Sequence, residues 1–251
     1  MLILLSPTKT MNPSTETESY GSQPRLLDQA HTLIKQLKTL KTPDVAGLMA
    51  MSETITNNTA SEYKAFGLDP SDDQVSSAVL TYSGEAFRAM AATEWNDTTR
   101  TFADDHLCIL SGLYGMLRPS DLIQAYRLEM AAKTKPVLGK TLYQYWSESI
   151  TQKVNAILTQ HDNPILVNLA SKEYSKVISK DLNHPVVNLE FKEERNGKLK
   201  VISFNAKQAR GRMTDYIMSN QIDTIKGIKK FKLDQYSLHE SSTDKTLLFV
   251  R

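Results

Sequence analysis

Four short apolar runs in this chain end alike, in small or polar residues followed by cations or hydroxyls. Residues 2–5 run through Ser6-Pro7 into Thr8 and Lys9, and residues 107–110 run into Ser111, Tyr114 and Arg118. Residues 164–169 carry Asn168 and run into Ser171, Glu173 and Tyr174; residues 199–204 run into Asn205, Lys207, Arg210 and Arg212. Arginine offers a planar fork matched to phosphate or a base edge, and lysine a compact point charge. Loops beyond strand carboxyl ends are where open α/β sheets bind ligands. If these ends share one side of a sheet, they line a cationic pocket for phosphate, a nucleotide or a nucleic-acid backbone. Tyr126, Arg127 and Glu129 add varied chemistry beside it, with Glu129 and Glu173 as counter-charges. Taken singly, each cation has a plainer reading as a solvated side chain, and Arg127 with Glu129 as a structural pair. Their repetition at four strand ends favours a site.

The stretch 206–220, AKQARGRMTDYIMSN, points the same way. Lys207, Arg210 and Arg212 fall near a helix start, where cations oppose the macrodipole unless an anion sits opposite. Gly211 weakens a helix by about 1 kcal/mol against alanine. Both departures from helix rules fit a functional site; the alternative is a helix that begins only after Gly211. A further run, Lys226, Lys229, Lys230 and Lys232 around Phe231, reads as solvated surface.

The elements that must position these residues follow from periodicity. Leu26, Ala30, Leu33, Ile34 and Leu37 recur at helical spacing, as do Leu142, Trp146, Ile150, Val154 and Leu158. Thr42-Pro43 opens a short helix. Over 52–66 the pattern is weaker, and Asn57-Asn58 reads as a turn between two short helices. Asn196-Gly197 predicts a hairpin joining strands at 186–192 and 199–204, and 247–250 predicts a final strand. Residues 11–24 read as an exposed loop. The expected fold is α/β of the mixed α+β kind, with helices flanking a mixed sheet. A single domain spans 1–251, and 42–75 could form a helical sub-lobe.

With 40% apolar and 23% charged residues, the 251-residue chain has globular composition. A net charge of +2 excludes a general electrostatic sponge and leaves room for a local basic cleft. The single cysteine, Cys108, sits in an apolar run and reads as core. No signal peptide or membrane span is evident, so a soluble cytoplasmic protein with no membrane partner is expected. Rossmann, P-loop, zinc and nucleophile-elbow motifs are absent, and the five histidines show no ligand spacing. No metal or cofactor is expected. No recognised catalytic motif is present, which favours a non-catalytic protein.

Several motifs together resemble the YaaA family of bacterial peroxide stress proteins. They are LLSPTKT at 4–10, SGLYGMLRPSDLIQAYRLEM at 111–130, LYQYW at 142–146, NLASKEY at 168–174 and ISFNAKQARGRM at 202–213. The resemblance implies a cytoplasmic protein of the stress response to hydrogen peroxide that lowers free iron. It also implies double-stranded DNA as partner, held through a positively charged cleft and a helix-hairpin-helix-like element. The corresponding turn, 55–60, reads ITNNTA and lacks the glycine that close backbone approach to phosphate needs. Lys9, Arg118, Arg127, Glu129, Asn168, Ser171, Tyr174, Lys207 and Arg210 fall on the matching motifs. The alternative function is an enzyme acting on a purine base or nucleotide in the same pocket, since Lys9, Tyr174, Glu129 and Arg127 are more varied than backbone clamping needs.

Overall fold

Four consecutive buried aliphatic residues make a strand covered on both faces. In the computed structural model, which describes residues 1–13 and 21–251, such a strand opens the fold. In chain order the strands are β1 (Leu2–Leu5), β2 (Ser76–Ser77), β3 (Leu107–Ser111), β4 (Gly115–Leu117) and β5 (Leu122–Ile123). They continue with β6 (Leu166–Asn168), β7 (Val186–Arg195), β8 (Lys198–Lys200), β9 (Ser237–Leu238) and β10 (Thr246–Val250). The helices are α1 (Leu27–Leu37), α2 (Thr42–Leu48), α3 (Glu53–Ala65), α4 (Ala78–Thr81), α5 (Glu85–Met90) and α6 (Asp97–His106). After them come α7 (Lys135–Leu138), α8 (Leu142–Thr159), α9 (Lys172–Ser175), α10 (Ser203–Ser219) and α11 (Ile225–Ile228).

The main sheet has the order β4-β3-β1-β6-β7-β10-β9, with β8 paired to β7. Strands β3, β1, β6, β7 and β10 are parallel, whereas β4, β8 and β9 join antiparallel. The fold is therefore mixed α/β, as the residue pattern predicts. Leu4 stands in register with Cys108 on one side and Asn168 on the other, so β1, β3 and β6 end on one edge. Helix α8 packs through its buried stripe Leu142, Trp146, Ile150, Val154 and Leu158. Thr141 and Gln144 cap its start reciprocally, and Trp146 Nε1 donates to the Gly112 carbonyl at 2.9 Å. No helix among the described residues is long and apolar enough to cross a membrane.

Three expectations need correction or limits. Asn57-Asn58 is no turn: α3 runs unbroken through it, capped by the Ser52 side chain on Ile55 N–H and buried along Thr56, Thr59, Ala60 and Tyr63. A helix-hairpin-helix-like turn at 55–60 is thus ruled out; the bend instead falls at 49–52, between α2 and α3. The hairpin at Asn196-Gly197 forms, with φ of 54° and 68°. Its second strand ends at Lys200, and Phe204 already belongs to α10. Of the loop expected at 11–24, residues 14–20 lie outside the described residues.

At the amino end of β1, the rings of His106 and His161 stack 4.6 Å apart. His106 Nδ1 lies 2.7 Å from the Met1 carbonyl, and the Met1 amine lies 3.1 Å from His161 Nδ1. Burial pushes both imidazoles down from their usual value, and the Met1 ammonium adds to this. The folded state therefore binds these protons more weakly than the unfolded chain, so their contribution to stability is complete above about pH 6.5 and is lost below it. Melting temperature is expected to fall as pH drops through that range, and to fall less steeply in His161→Gln.

Candidate functional site

The carboxyl ends of β1 and β6 are locked together by two serines. Ser171 N–H donates to Ser6 Oγ at 2.8 Å, and Ser6 Oγ donates to Ser171 Oγ at 3.2 Å. Ser171 also caps α9, its Oγ accepting from Tyr174 N–H. Between these loops, α5 and α10 lies a cavity of about 490 Å³, whose cations are Lys9, Arg88, Lys207 and Arg210. Gly84 lets α5 approach: a Cβ there would collide with the Thr8 side chain. Glu85 pairs with Arg88 across one helical turn and accepts from Gln208 Nε2 at 3.2 Å, linking α5 to α10. Arg210 is the most constrained cation. Burial pushes its guanidinium down from the usual value, opposed by Glu190, and its buried Nε has no hydrogen-bond partner among the described residues. A buried donor left unpaired is costly, and an anion beside it would relieve that cost.

A small crevice adjoins this cavity, sharing Pro7, Thr8, Lys9 and Tyr174 and adding Arg127 and Glu129. Glu129 lies between two cations, 2.7 Å from Lys9 Nζ and 3.4 Å from Arg127. The Lys9 side chain is 61% exposed. Arg127 is anchored through its carbonyl, which accepts from Tyr63 OH at 2.5 Å, while its buried Nε has no partner among the described residues. Behind the crevice, Tyr82 OH, Tyr126 OH and Ser111 Oγ form a buried hydroxyl chain with spacings of 2.8 and 2.6 Å. Burial pushes Tyr126 up to about 12 and raises Tyr82 and Tyr174 as well. These phenols stay protonated near neutral pH and hold the wall in shape.

The structure thus brings Lys9, Ser171, Tyr174, Lys207 and Arg210 around one cavity, with Arg127 and Glu129 in the crevice beside it. Other expected site residues lie elsewhere. Ser111 and Tyr114 are buried, the Ser111 hydroxyl accepting from Tyr114 N–H at 2.8 Å. Arg118 is committed to buried Asp121 at 2.9 Å and to the Gln23 carbonyl at 3.0 Å. Asn168 bonds Asn188 at 2.9 Å and lines a separate groove. Arg212 turns to Asp234. Asp215, further along α10, accepts from Trp95 Nε1 at 2.8 Å. Phe231, in the second basic run, is core.

Of the four expected strand ends, β1 and β6 meet at the cavity, the residues past the run at 107–110 lie elsewhere, and the run at 199–204 passes into a helix. Lys207 and Arg210 reach the cavity because α10 packs on α5. Sequence reasoning missed Glu85 and Arg88 and did not use Ser6. The signal for the first two was the small pair Ser83-Gly84 ahead of an i,i+3 ion pair.

Fold and site define a mixed α/β protein with a cation-lined cavity at the carboxyl ends of two neighbouring parallel strands. The chain belongs to the family described as peroxide stress protein YaaA, whose model matches residues 1–242. It is 41% identical over 255 residues to a UPF0246 protein of Legionella pneumophila (strain Lens), covering 100% of this chain and 99% of the relative. To a UPF0246 protein of Francisella philomiragia it is 40% identical over 257 residues, covering 100% of both. The family name places the chain among peroxide stress proteins.

Proposed function

We propose that the protein binds the phosphate backbone of double-stranded DNA with the cations of this cavity, and so limits iron-dependent oxidative damage in the cytoplasm. The observation that carries the reading is Arg210, a half-buried arginine whose buried Nε has no partner among the described residues, beside a cavity that Lys9, Arg88 and Lys207 also line. Backbone phosphate is the anion that such a set recognises without reading sequence. Binding by charge neutralisation gives log K a slope against log[salt] of about −0.9 per phosphate contacted. Titration of a short duplex at several salt concentrations tests this, and an affinity indifferent to salt would remove the reading.

Glu129 already neutralises part of the cationic charge, so Glu129→Gln is expected to tighten duplex binding several-fold at low salt. Fluorescence anisotropy with a labelled duplex measures it. Unchanged or weaker binding would show that Lys9 and Arg127 do not contact the backbone.

A second reading, an enzyme acting on a purine base or nucleotide, is favoured by the size of the cavity. About 490 Å³ lies within the ~300–1,000 Å³ usual for small-ligand sites. Thermal stabilisation by mononucleotides with no response to duplex DNA would select this reading over the first.

A further inference from the structure

Six of the nine methionines are at most 2% exposed: Met1, Met90, Met116, Met130, Met213 and Met218. Of the other three, Met11 and Met49 lie close to the site. Met11 follows Thr10, which lines the cavity, and is partly exposed. Met49 and Met51 lie between α2 and α3, Met49 at 7% exposure and Met51 partly exposed. Each of the three has a sulfur that accepts a hydrogen bond. Met11 Sδ accepts from Tyr126 N–H at 3.5 Å, Met49 Sδ from Glu129 N–H at 3.3 Å, and Met51 Sδ from Thr59 Oγ1 at 3.8 Å. Two thioethers therefore hold the two ends of the four-residue segment 126–129, which carries Arg127 and Glu129. Thioether sulfur is a weak acceptor. A backbone amide that has sulfur as its acceptor is held softly, and by the side chain most readily altered by peroxide.

We propose that Met11 and Met49 are peroxide-modification sites whose conversion to sulfoxides loosens the 126–129 segment and frees Lys9 and Arg127 from Glu129. The co-reactant is a hydroperoxide, hydrogen peroxide being the simplest. A sulfur lone pair attacks one peroxide oxygen, and the S–O bond forms as the O–O bond breaks. The departing hydroxide takes the proton from the transferred oxygen and leaves as water. The thioether is oxidised by two electrons to the sulfoxide, and the peroxide is reduced to water. With the amides already in contact with sulfur, an added oxygen has no room between them, so the side chain or the segment must move. Glu129 moves with its backbone, which disturbs its ion pairs to Lys9 and Arg127 together. Met11, the more exposed of the pair, is modified first.

The effect on binding rests on the backbone reading above; the modification itself does not. The test treats the full chain with hydrogen peroxide, maps oxygen uptake by peptide mass spectrometry, and follows hydrogen exchange of the Tyr126 and Glu129 amides. The expected result is uptake at Met11 and then Met49, with the six buried methionines unmodified and exchange faster at both amides. A several-fold gain in duplex affinity at low salt is expected alongside. Each change should be absent from M11L/M49L, in which leucine keeps the volume without the sulfur, and should be reversed by methionine sulfoxide reductase. Uptake confined to Met51, or uptake at Met11 and Met49 with unaltered amide exchange, would overturn the proposal. Faster exchange with unchanged affinity, in a protein whose unoxidised form binds DNA in a salt-dependent way, would overturn the release of Lys9 and Arg127. If the unoxidised protein shows no salt-dependent binding at all, the backbone reading fails, and the exchange measurement alone decides the modification.

Discussion

Replacing Lys207 and Arg210 together by alanine is expected to weaken duplex DNA binding by roughly tenfold or more at low salt and to reduce the salt slope by about two. Both residues project from α10 into one cavity, but they contribute differently. Lys207 is exposed and keeps its hydration in the free protein, so its alanine variant loses one screened phosphate contact. Arg210 is half-buried before any ligand arrives, burial pushing its guanidinium down, and its Nε has no partner among the described residues. Part of its desolvation is thus already met in folding, and a phosphate placed there gains a stronger, less screened contact. Arg210→Ala alone should therefore cost more affinity than Lys207→Ala alone. Because Arg210→Ala also removes a buried unpaired donor, melting temperature should hold or rise while binding falls. Losing both together would point to a structural arginine. Arg212→Ala, which breaks a pair with Asp234 on neither wall of the cavity, serves as the comparison and should leave the salt slope within the loss of a distant charge.

How far such a site can be read from sequence depends on the range of the interaction that builds it. The ends of β1 and β6 were legible because buried aliphatic runs followed by Ser6-Pro7 and by Ser171 are local patterns, and parallel pairing of the two strands then brings them together. Lys9 and Tyr174 came with them. Arg118 shows the opposite case. In sequence it is one more cation past a strand, but Asp121 three residues on is wholly buried and recruits it, with Ser22 donating to the same carboxylate at 2.7 Å. A buried carboxylate holds its arginine partner more firmly than a solvent-facing ligand would, and burial is not visible in a string of residues. Asn57-Asn58 failed for a related reason: asparagine is a turn signal by propensity, yet the buried Thr56, Thr59, Ala60 and Tyr63 face keeps α3 continuous. The contact of α10 with α5 was out of reach, since it joins segments more than a hundred residues apart.

That contact turns on one residue, which a propensity argument and a packing argument treat in opposite ways. By propensity, Gly211→Ala in the middle of α10 should stabilise the protein by about 1 kcal/mol. By packing, it should destabilise, because a Cβ at 211 would run into the carbonyl oxygen of Ala86 in α5, closer than real Cβ atoms come. The obstacle is backbone, so it cannot swing aside as a side chain would; one helix must shift against the other. Overpacking of this kind costs about 1–3 kcal/mol, which outweighs the propensity gain. A lower melting temperature is the expected outcome. Gly47, near the end of α2, provides the internal comparison, since a Cβ there meets nothing within 4 Å. Gly47→Ala should therefore stabilise by up to about 1 kcal/mol, and thermal unfolding of the two variants side by side checks the contrast. If both raise the melting temperature alike, α10 does not rest on α5 through Gly211. The shift in Gly211→Ala also carries Lys207 and Arg210 away from Arg88, so duplex affinity should fall although no cation has been removed. Gly211 then matters to the site because its missing side chain sets the distance between the two helices that bear the cations.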